Sequence, residues 1–295
     1  MYDIIIVGAG PAGLTAAIYA LRANKKVLIF EAKAYGGQIA SSSVVENYPG
    51  YEKISGFDLA TNMYNQVIKL GGEIKYEEVI SIKDGEVTTN NGSYKCKAII
   101  LATGVQNGKL GIDNEDALKG KGVSYCATCD GNFFKGKDVA LVGGGNTALE
   151  DALYLSNIVN KVYLIHRRDT FRGDQRNLDE LKKKDNVEFI LNSNVVKING
   201  TNLLESIDVN TNGDIRNISV SGLFIAVGHV PANEAFSNMV ELDDRGYIKS
   251  EDGVHTSSKN VYVAGDTRVK TLRQLVTATS DGAIAATTAM REMGR

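Results

Sequence analysis

The residues best suited to chemistry are two cysteines, Cys126 and Cys129, which are separated by two residues and followed at once by Asp130. A Cys-X-X-Cys pair can be a redox-active dithiol, one half of a zinc site, or two inert buried thiols. The third cysteine, Cys96, is isolated, and the three histidines lack the spacing of metal ligands. We therefore predict redox chemistry at the pair, no bound metal, and a structural position for Cys96 outside the site.

Asp130 is the acid closest to the pair in sequence. If it is partly desolvated, its pKa rises toward the range in which a carboxyl group can give a proton to a leaving thiolate. The alternative is a turn residue whose carboxylate accepts hydrogen bonds from local amides before Gly131. No GxSxG or HExxH motif competes for the catalytic role. Asp130 is therefore the predicted catalytic acid.

A glycine-rich turn near the N-terminus predicts a nucleotide cofactor that would supply electrons. An apolar strand at residues 3–7 leads into Gly8, Gly10, Pro11, Ala12 and Gly13, and apolar residues then recur at helical spacing. The first glycine permits the tight turn, the second admits a pyrophosphate, and the third lets helix and strand pack closely. The next strand ends at Glu31, which can accept from ribose hydroxyls but would repel a 2′-phosphate. This site suits FAD or NAD.

The same construction returns 135 residues later in the chain. Gly8 corresponds to Gly143, and Glu31 corresponds to His166, with one constant offset. Such a constant register indicates two copies of one dinucleotide-binding unit. In the second copy the predicted contacts to the nucleotide are Gly143, Gly145, Asn146, Thr147 and Ala148.

The second copy reverses the charge at the end of its second strand. His166, Arg167, Arg168 and Arg172 stand where the first copy has its acid. Guanidinium groups match the geometry of phosphate oxygens, so this cluster favours a nucleotide with a 2′-phosphate. The alternative is a solvated basic surface turn. We therefore predict FAD in the first unit and NADPH in the second.

The fold predicted for each copy is a Rossmann-like three-layer α/β domain with an inserted antiparallel β-meander, its hairpins turning at residues 91–92 and 212–213. The predicted FAD-binding domain is discontinuous and comprises residues 1–109 and 235–295. Residues 110–234 form the predicted NADPH-binding domain, which carries the cysteine pair. A strand ending at Asp266 and a helix beginning near Arg273 complete the first domain, and that helix either faces an electron-rich ring or simply caps the domain.

Composition excludes several function classes. The chain has 295 residues, 43% of them hydrophobic and 23% charged, and a formal charge of −2, so we expect neither nucleic acid nor a membrane as a partner. Three cysteines are too few for a disulfide framework. An apolar strand already at residues 4–7 leaves no room for a signal peptide, so the expected location is cytoplasmic.

The order of motifs over nearly the whole chain closely resembles the bacterial low-molecular-weight thioredoxin reductases. Besides the motifs above, it includes GGQ at 36–38, ENYPG at 46–50, ATG at 102–104, AGD at 264–266 and LRQ at 272–274. The resemblance implies a homodimer that passes a hydride from NADPH to FAD, and then two electrons through a Cys126–Cys129 disulfide to oxidised thioredoxin. It also implies that Cys129 faces the flavin and Cys126 exchanges with thioredoxin. The remaining predicted FAD contacts are Gln38, Asn47, Ala102, Thr103, Gly104, Gly265, Asp266, Arg273 and Gln274.

Some features leave alternatives open. Residues 105–114 lack the Arg and Pro that are common in that family, and a related subgroup takes its electrons from ferredoxin, against which the arginine cluster argues. A reductase partner of a peroxide-detoxifying system would need a separate dithiol carrier, and a redox-sensing flavoprotein is the non-enzymatic alternative. Because the cysteine pair belongs to the NADPH domain, we expect domain rotation between half-reactions about crossings near Gly108 and Pro231. Simultaneous use of opposite flavin faces is the rigid alternative.

Overall fold

The computed structural model describes residues 1–42, 44–250 and 253–294. The chain folds into two compact units, the first built from residues 1–106 and 230–295 and the second from residues 107–229. The chain thus crosses between units a few residues before the predicted boundaries at 109–110 and 234–235. Within the described ranges no helix has both the length and the apolar character that a membrane span requires.

Seventeen strands alternate with six α-helices along the described residues. The strands are β1 (Tyr2–Val7), β2 (Val27–Phe30), β3 (Glu73–Lys75), β4 (Val79–Lys83), β5 (Glu86–Thr89), β6 (Gly92–Leu101), β7 (Val105–Asn107), β8 (Val123–Ser124), β9 (Asp138–Gly143), β10 (Lys161–Ile165), β11 (Val187–Ile190), β12 (Ser193–Asn199), β13 (Ser206–Thr211), β14 (Asp214–Ser219), β15 (Gly222–Ala226), β16 (His229–Pro231) and β17 (Val261–Val263).

The helices are short apart from the last one. They are α1 (Pro11–Arg22), α2 (Gly56–Lys69), α3 (Ala127–Asp130), α4 (Asn146–Ser156), α5 (Gln175–Leu181) and α6 (Leu275–Met293). Three single 3₁₀ turns lie at Gly37–Ser41, Gly131–Phe134 and Glu234–Phe236. Proline stands at the first position of α1, where its missing N–H costs no hydrogen bond.

The first unit contains a parallel sheet in the order β3-β2-β1-β6-β17. Its longest strand, β6, serves two sheets: residues 92–95 pair antiparallel with β5, and residues 96–101 pair parallel with β1. Burial follows this division, because the first half is largely exposed and the second half almost wholly buried. The antiparallel β-meander β4-β5-β6 is therefore an extension of the parallel sheet. Helices α1 and α6 pack together on one face of that sheet through small buried alanines.

The second unit repeats this plan with its meander as a separate sheet. Its parallel sheet has the order β11-β10-β9-β15-β8, and β12-β13-β14 form an antiparallel sheet. The turn between β13 and β14 is made by Asn212 and Gly213, both with positive φ, as the sequence predicted. The predicted fold class, two Rossmann-like α/β domains that each carry an antiparallel meander, is confirmed.

Candidate functional site

The two cysteines of the redox motif are joined by a disulfide in the second unit. Strand β8 delivers the chain to Cys126, and the single turn of α3 brings Cys129 back so that the two Cα atoms lie 5.3 Å apart. Both residues are half-buried, while Thr128 between them is exposed. The predicted pair is therefore within bonding distance and accessible from solvent, as reversible thiol–disulfide chemistry requires.

Asp130 lies one residue beyond the pair and is half-buried. Its Oδ2 accepts a hydrogen bond of 2.6 Å from the Ser124 hydroxyl, and its backbone N–H donates to the carbonyl of Cys126 at 3.1 Å. Burial raises the pKa of Asp130, and the Ser124 hydrogen bond and the charge of Lys119 oppose that rise in part. The carboxyl group is therefore desolvated, and the hydrogen bond that it accepts comes from the Ser124 hydroxyl instead of the local amides of the alternative interpretation.

Cys96 lies apart from this chemistry, within strand β6 of the first unit. It is buried, its thiol donates to the carbonyl of Gly85 at 3.6 Å, and burial raises its pKa to about 12. A thiol with so high a pKa carries almost no thiolate at neutral pH. The described part of the chain contains no cluster of three or more His, Cys, Asp or Glu side chains that suits a metal ion.

The first glycine turn is closely packed against neighbouring backbone. Gly8 has φ +109°, and a Cβ at this position would lie 2.3 Å from the Ala102 carbonyl oxygen. A Cβ at Gly13 would lie 1.9 Å from the carbonyl oxygen of Gly8. Gly10, by contrast, has only the backbone of Gly37 nearby, at 3.9 Å. The crowded glycines hold strand and helix together, and the open one leaves room for a pyrophosphate above α1.

Glu31 lies beside this turn, where a ribose would be recognised. Its Oε2 accepts from the backbone N–H of Ala9 and its Oε1 from that of Lys33, both at 2.9 Å. A carboxylate oxygen has two lone pairs, so each can still accept from a ribose hydroxyl. The side chain therefore both braces the turn and stays available to the predicted ligand.

Asp266 gives the clearest indication of a ligand site in the first unit. It follows Gly265, which has φ +82°, and its buried Oδ1 has no hydrogen-bond partner among the described residues. Burial raises its pKa to about 6, while the charges of Lys270 and Arg273 act in the opposite direction. A buried carboxylate oxygen without a partner is costly, so this atom fits a hydroxyl donor of a bound cofactor.

Two further predicted FAD residues hold neighbouring loops. The side-chain amide of Gln38 donates to the Val105 carbonyl, and Asn47 Nδ2 donates to Gln274 Oε1 at 3.2 Å. Gln274 is also the N-cap of α6, where its backbone N–H donates to the hydroxyl of Thr277. These amides place three loops around the first unit's predicted site.

Arg273 lies against the turn formed by Gly265 and Asp266, the predicted cofactor loop. Its Nε donates to the backbone carbonyl of Asp266 at 3.3 Å, and its guanidinium lies 4.2 Å from the centre of the Tyr247 ring. This positive group and the N-terminus of α6 therefore adjoin the residue with the orphaned carboxylate oxygen.

Thr103, one of the predicted FAD contacts, belongs to a polar cluster whose other members the sequence analysis missed. The hydroxyls of Thr103 and Thr267 both donate to Asn233 Oδ1, at 3.0 and 2.7 Å. Asn233 is almost fully buried and its amide donates to the Thr267 carbonyl. The cluster fixes the carboxyl ends of β6 and β17, where Gly104 and Gly265 turn the chain with positive φ. No single motif signals it, because its members are 34 to 164 residues apart.

The second glycine turn repeats the division between crowded and open positions. A Cβ at Gly143 would lie 2.5 Å from the Ala226 carbonyl oxygen and 2.6 Å from the Ala148 side chain. At Gly145, the N-cap of α4, no atom lies within 4 Å of that position. The exposed residues Asn146 and Thr147 begin the helix, and Asn146 Oδ1 accepts from the backbone N–H of Asp174.

His166 occupies a different place from the three arginines predicted with it. It is 6% exposed, packs against Gly144, stacks on Phe171 at 5.0 Å, and has Nε2 3.1 Å from the Thr170 carbonyl oxygen. Burial lowers its pKa, the hydrogen bond to the Thr170 carbonyl opposes this in part, and the charges of the neighbouring arginines lower the pKa further. The histidine is therefore a neutral packing residue in this structure and supports the glycine turn from beneath.

The three arginines instead face solvent. Arg167, Arg168 and Arg172 are exposed, and none of them joins an ion pair with another of the described residues. The backbone N–H of Arg172 donates to the Gly144 carbonyl at 2.8 Å, which ties the arginine loop to the glycine turn. An unpaired cluster of this kind suits a phosphate.

The comparisons with known proteins agree with these features. The family model described as pyridine nucleotide-disulphide oxidoreductase matches residues 2–282. The chain is 42% identical over 302 residues to the thioredoxin reductase of Listeria monocytogenes, with 99% of this chain and 93% of the relative covered. It is 43% identical over 293 residues to that of Treponema pallidum, with 97% and 95% covered. The solved thioredoxin reductase of Streptococcus pyogenes superposes with a TM-score of 0.93 at 39% identity, covering 100% of this chain and 98% of that one.

Proposed function

The chain belongs to the pyridine nucleotide-disulphide oxidoreductase family, and we propose that it is an NADPH-dependent thioredoxin reductase that uses FAD. The observation that carries the proposal is the half-buried Cys126–Cys129 disulfide, followed directly by a desolvated Asp130. The relatives' names support thioredoxin as the substrate. The proposed reaction moves two electrons from NADPH to the disulfide of oxidised thioredoxin.

FAD is proposed for the first unit because the residues present there fit it. The open backbone at Gly10 would receive the pyrophosphate, Glu31 a ribose, and the orphaned Oδ1 of Asp266 a further hydroxyl. Arg273 and Gln274 at the start of α6 would lie near the ring system. When bound, FAD supplies the capacity to accept a hydride from a nicotinamide and to pass two electrons to a disulfide.

NADPH is proposed for the second unit. The open position at Gly145 and the N-terminus of α4 would receive its pyrophosphate, and Arg167, Arg168 and Arg172 its 2′-phosphate. The exposed, unpaired state of these arginines favours NADPH over ferredoxin as the donor.

The cysteine pair would carry out the exchange with thioredoxin. Two electrons and two protons convert the Cys126–Cys129 disulfide to a dithiol. The thiolate of Cys126 then attacks one sulfur of the thioredoxin disulfide, and the other sulfur leaves and takes up a proton. The thiolate of Cys129 next attacks the Cys126 sulfur, which restores the enzyme disulfide and releases thioredoxin with two thiols.

Asp130 would hold the proton that this cycle needs. Its raised pKa keeps a larger fraction of the carboxyl group protonated near neutral pH than an exposed aspartate has. A protonated carboxyl next to Cys129 can give its proton to a departing thiolate and regain one from the Cys126 thiol when that thiol ionises for attack. The homodimer, the cytoplasmic location and domain rotation between half-reactions belong to the same proposal.

Anaerobic titration of the FAD-loaded protein with NADPH, followed by oxidised thioredoxin, tests donor and acceptor together. We expect NADPH to bleach the flavin absorbance and thioredoxin to restore it, with no restoration in Cys126→Ser. A flavin that reduced ferredoxin bleaches but NADPH does not would move the donor assignment to ferredoxin. A single reduction with no turnover on added thioredoxin would indicate a redox sensor.

A further inference from the structure

A buried ionic cluster lies behind the turn that carries Asp266. The carboxylate of Asp281, on α6, accepts hydrogen bonds from Arg268 Nε at 2.9 Å and Nη2 at 3.0 Å, and from Lys270 Nζ at 2.8 Å. Asp281 is 5% exposed, and the Lys270 side chain is 6% exposed. The Arg268 side chain is 16% exposed. Two cations and one anion are therefore largely shielded from water together, at a substantial desolvation cost.

The same carboxylate also holds the cofactor loop directly. Asp281 Oδ2 accepts from the backbone N–H of Gly265 at 3.0 Å. Gly265 has φ +82° and precedes Asp266, so this hydrogen bond helps to fix the direction of the Asp266 side chain. The neighbouring Gly282 lets α6 approach α1, because a Cβ there would lie 2.1 Å from the Ala12 carbonyl oxygen.

We propose that Asp281 is a positioning residue for the cofactor site: it orients the Gly265–Asp266 turn and neutralises the charges of Arg268 and Lys270 behind the bound flavin. This inference rests on the proposed function, because it needs FAD in the first unit. None of the sequence motifs assigned a role to Asp281, Arg268 or Lys270.

The charges of the three cluster residues act on Asp266 in opposite directions. Arg268 and Lys270 both lie close enough to Asp266 to favour its ionised form, whereas Asp281 disfavours it. Asp281 therefore moderates the positive field of two nearby cations without removing it. A cluster kept only for stability could be replaced by well-packed apolar side chains at little or no cost. A cluster that tunes the cofactor instead changes its redox behaviour in a direction set by the charge that is removed.

The midpoint potential of the bound flavin measures this effect. Two-electron reduction with uptake of one proton makes the flavin more negative by one charge, so surrounding positive charge favours the reduced state. Asp281→Asn, which leaves the two cations unbalanced, is expected to raise the reduced-to-oxidised ratio at a fixed potential about tenfold, or about 30 mV for a two-electron couple. Lys270→Met, which removes a cation from the same cluster, is expected to shift the ratio in the opposite direction.

Opposite signs are the decisive outcome, because loss of packing alone would move both variants the same way. Lys249→Met is the matched control: Lys249 pairs with Glu241 at 3.8 Å in the same unit, but both side chains are exposed. It is expected to leave the potential unchanged. The double variant Asp281→Asn/Lys270→Met, which removes one charge of each sign, should return the potential close to the wild-type value, and it serves if Asp281→Asn alone does not fold.

Dissociation of FAD from each variant, followed by the fluorescence of released flavin, gives the second readout. Asp281→Asn should release FAD more readily than Lys249→Met, since a neutral amide has a single acceptor oxygen to share among Gly265, Arg268 and Lys270. Potentials that shift in the same direction for both single variants, or that do not shift at all, would overturn the inference. A wild-type protein that does not bind FAD would instead overturn the proposed function.

Discussion

The carboxylate of Asp130 is tied to the backbone of Cys126 through one hydroxyl group. Ser124 Oγ donates to Asp130 Oδ2 at 2.6 Å and accepts from the backbone N–H of Cys126 at 3.1 Å. This chain connects the predicted proton carrier to the residue that begins the redox turn. It also lowers the pKa that burial raises, because the hydrogen bond favours the ionised carboxylate.

Asp130→Asn is expected to slow thioredoxin reduction by roughly 10²-fold, within the usual range for loss of a general acid. The amide has nearly the same shape and can still bond to Ser124, so the disulfide turn should persist. Flavin reduction by NADPH, followed by stopped-flow absorbance, should change little. An unchanged pH profile for turnover would remove Asp130 from the mechanism.

Ser124→Ala tests the same carboxyl group from its other side. The hydrogen bond from Ser124 lowers the pKa of Asp130, so its loss should raise that pKa further. If the protonated carboxyl is the active form, the decline of turnover on the alkaline side should move to higher pH. The pH profile of kcat with thioredoxin measures the shift, and Asp130→Asn/Ser124→Ala should show no such shift.

The two cysteines are expected to behave differently when each is replaced by serine. Cys129→Ser keeps the thiol of Cys126, which should attack oxidised thioredoxin and remain attached as a mixed disulfide. Cys126→Ser should form no such adduct. Mass spectrometry after mixing each variant with oxidised thioredoxin distinguishes them, and adducts from Cys126→Ser instead would reverse the two roles.

The arginine cluster is expected to set the preference for NADPH. Hydrogen bonds to charged groups contribute about 1.5–3 kcal/mol, so Arg168→Gln should lower kcat/KM for NADPH by roughly 10- to 100-fold. The value for NADH, which lacks the 2′-phosphate, should change little.

Arg176→Gln is the matched control for this cluster. Arg176 is also exposed and close in sequence, but it pairs with Glu180 at 3.7 Å along helix α5. Arg176→Gln should leave the preference for NADPH over NADH intact. Equal losses with NADPH and NADH in Arg168→Gln would show that the cluster does not recognise a 2′-phosphate.

Sequence patterns predicted those parts of the protein in which steric demands are local. The glycine turns could be located because a Cβ at Gly13 would collide with the Gly8 carbonyl oxygen, and one at Gly143 with the Ala148 side chain, each contact joining residues five positions apart. The cysteine pair could be located because a spacing of three residues closes one helical turn around a disulfide. In both cases residue type and spacing contain the whole constraint.

Other parts depend on contacts between distant residues, which no local pattern encodes. The cluster around Asp281 joins residues 11 to 16 positions apart through a helix and a loop whose approach is set by tertiary packing. His166 aligned with the basic residues after it, yet its ring turns inward because the absent side chain of Gly144 leaves a space for it. The sequence offset gave its position in the chain, but tertiary packing decided the direction of the ring.

Gly144 and Gly145 are adjacent, but their replacement by alanine should affect different properties: stability at Gly144 and NADPH binding at Gly145. A Cβ at Gly144 would lie 2.1–2.5 Å from three atoms of the His166 ring. That ring is buried against Phe171 and bonded to the Thr170 carbonyl, so it has little freedom to move. Overpacking of this kind costs about 1–3 kcal/mol, so Gly144→Ala should lower the Tm by several degrees, roughly 2–4 °C per kcal/mol.

Gly145→Ala should leave the Tm nearly unchanged, because Gly145 has φ −98° and no atom within 4 Å of its Cβ position. The added methyl group would instead occupy the space through which a pyrophosphate reaches the N-terminus of α4. We therefore expect KM for NADPH to rise about tenfold, equivalent to about 1.4 kcal/mol of binding energy, with FAD content unaffected. Thermal denaturation and NADPH kinetics on both variants test the pair, and a Gly145→Ala variant that binds NADPH normally would move the predicted pyrophosphate site away from this turn.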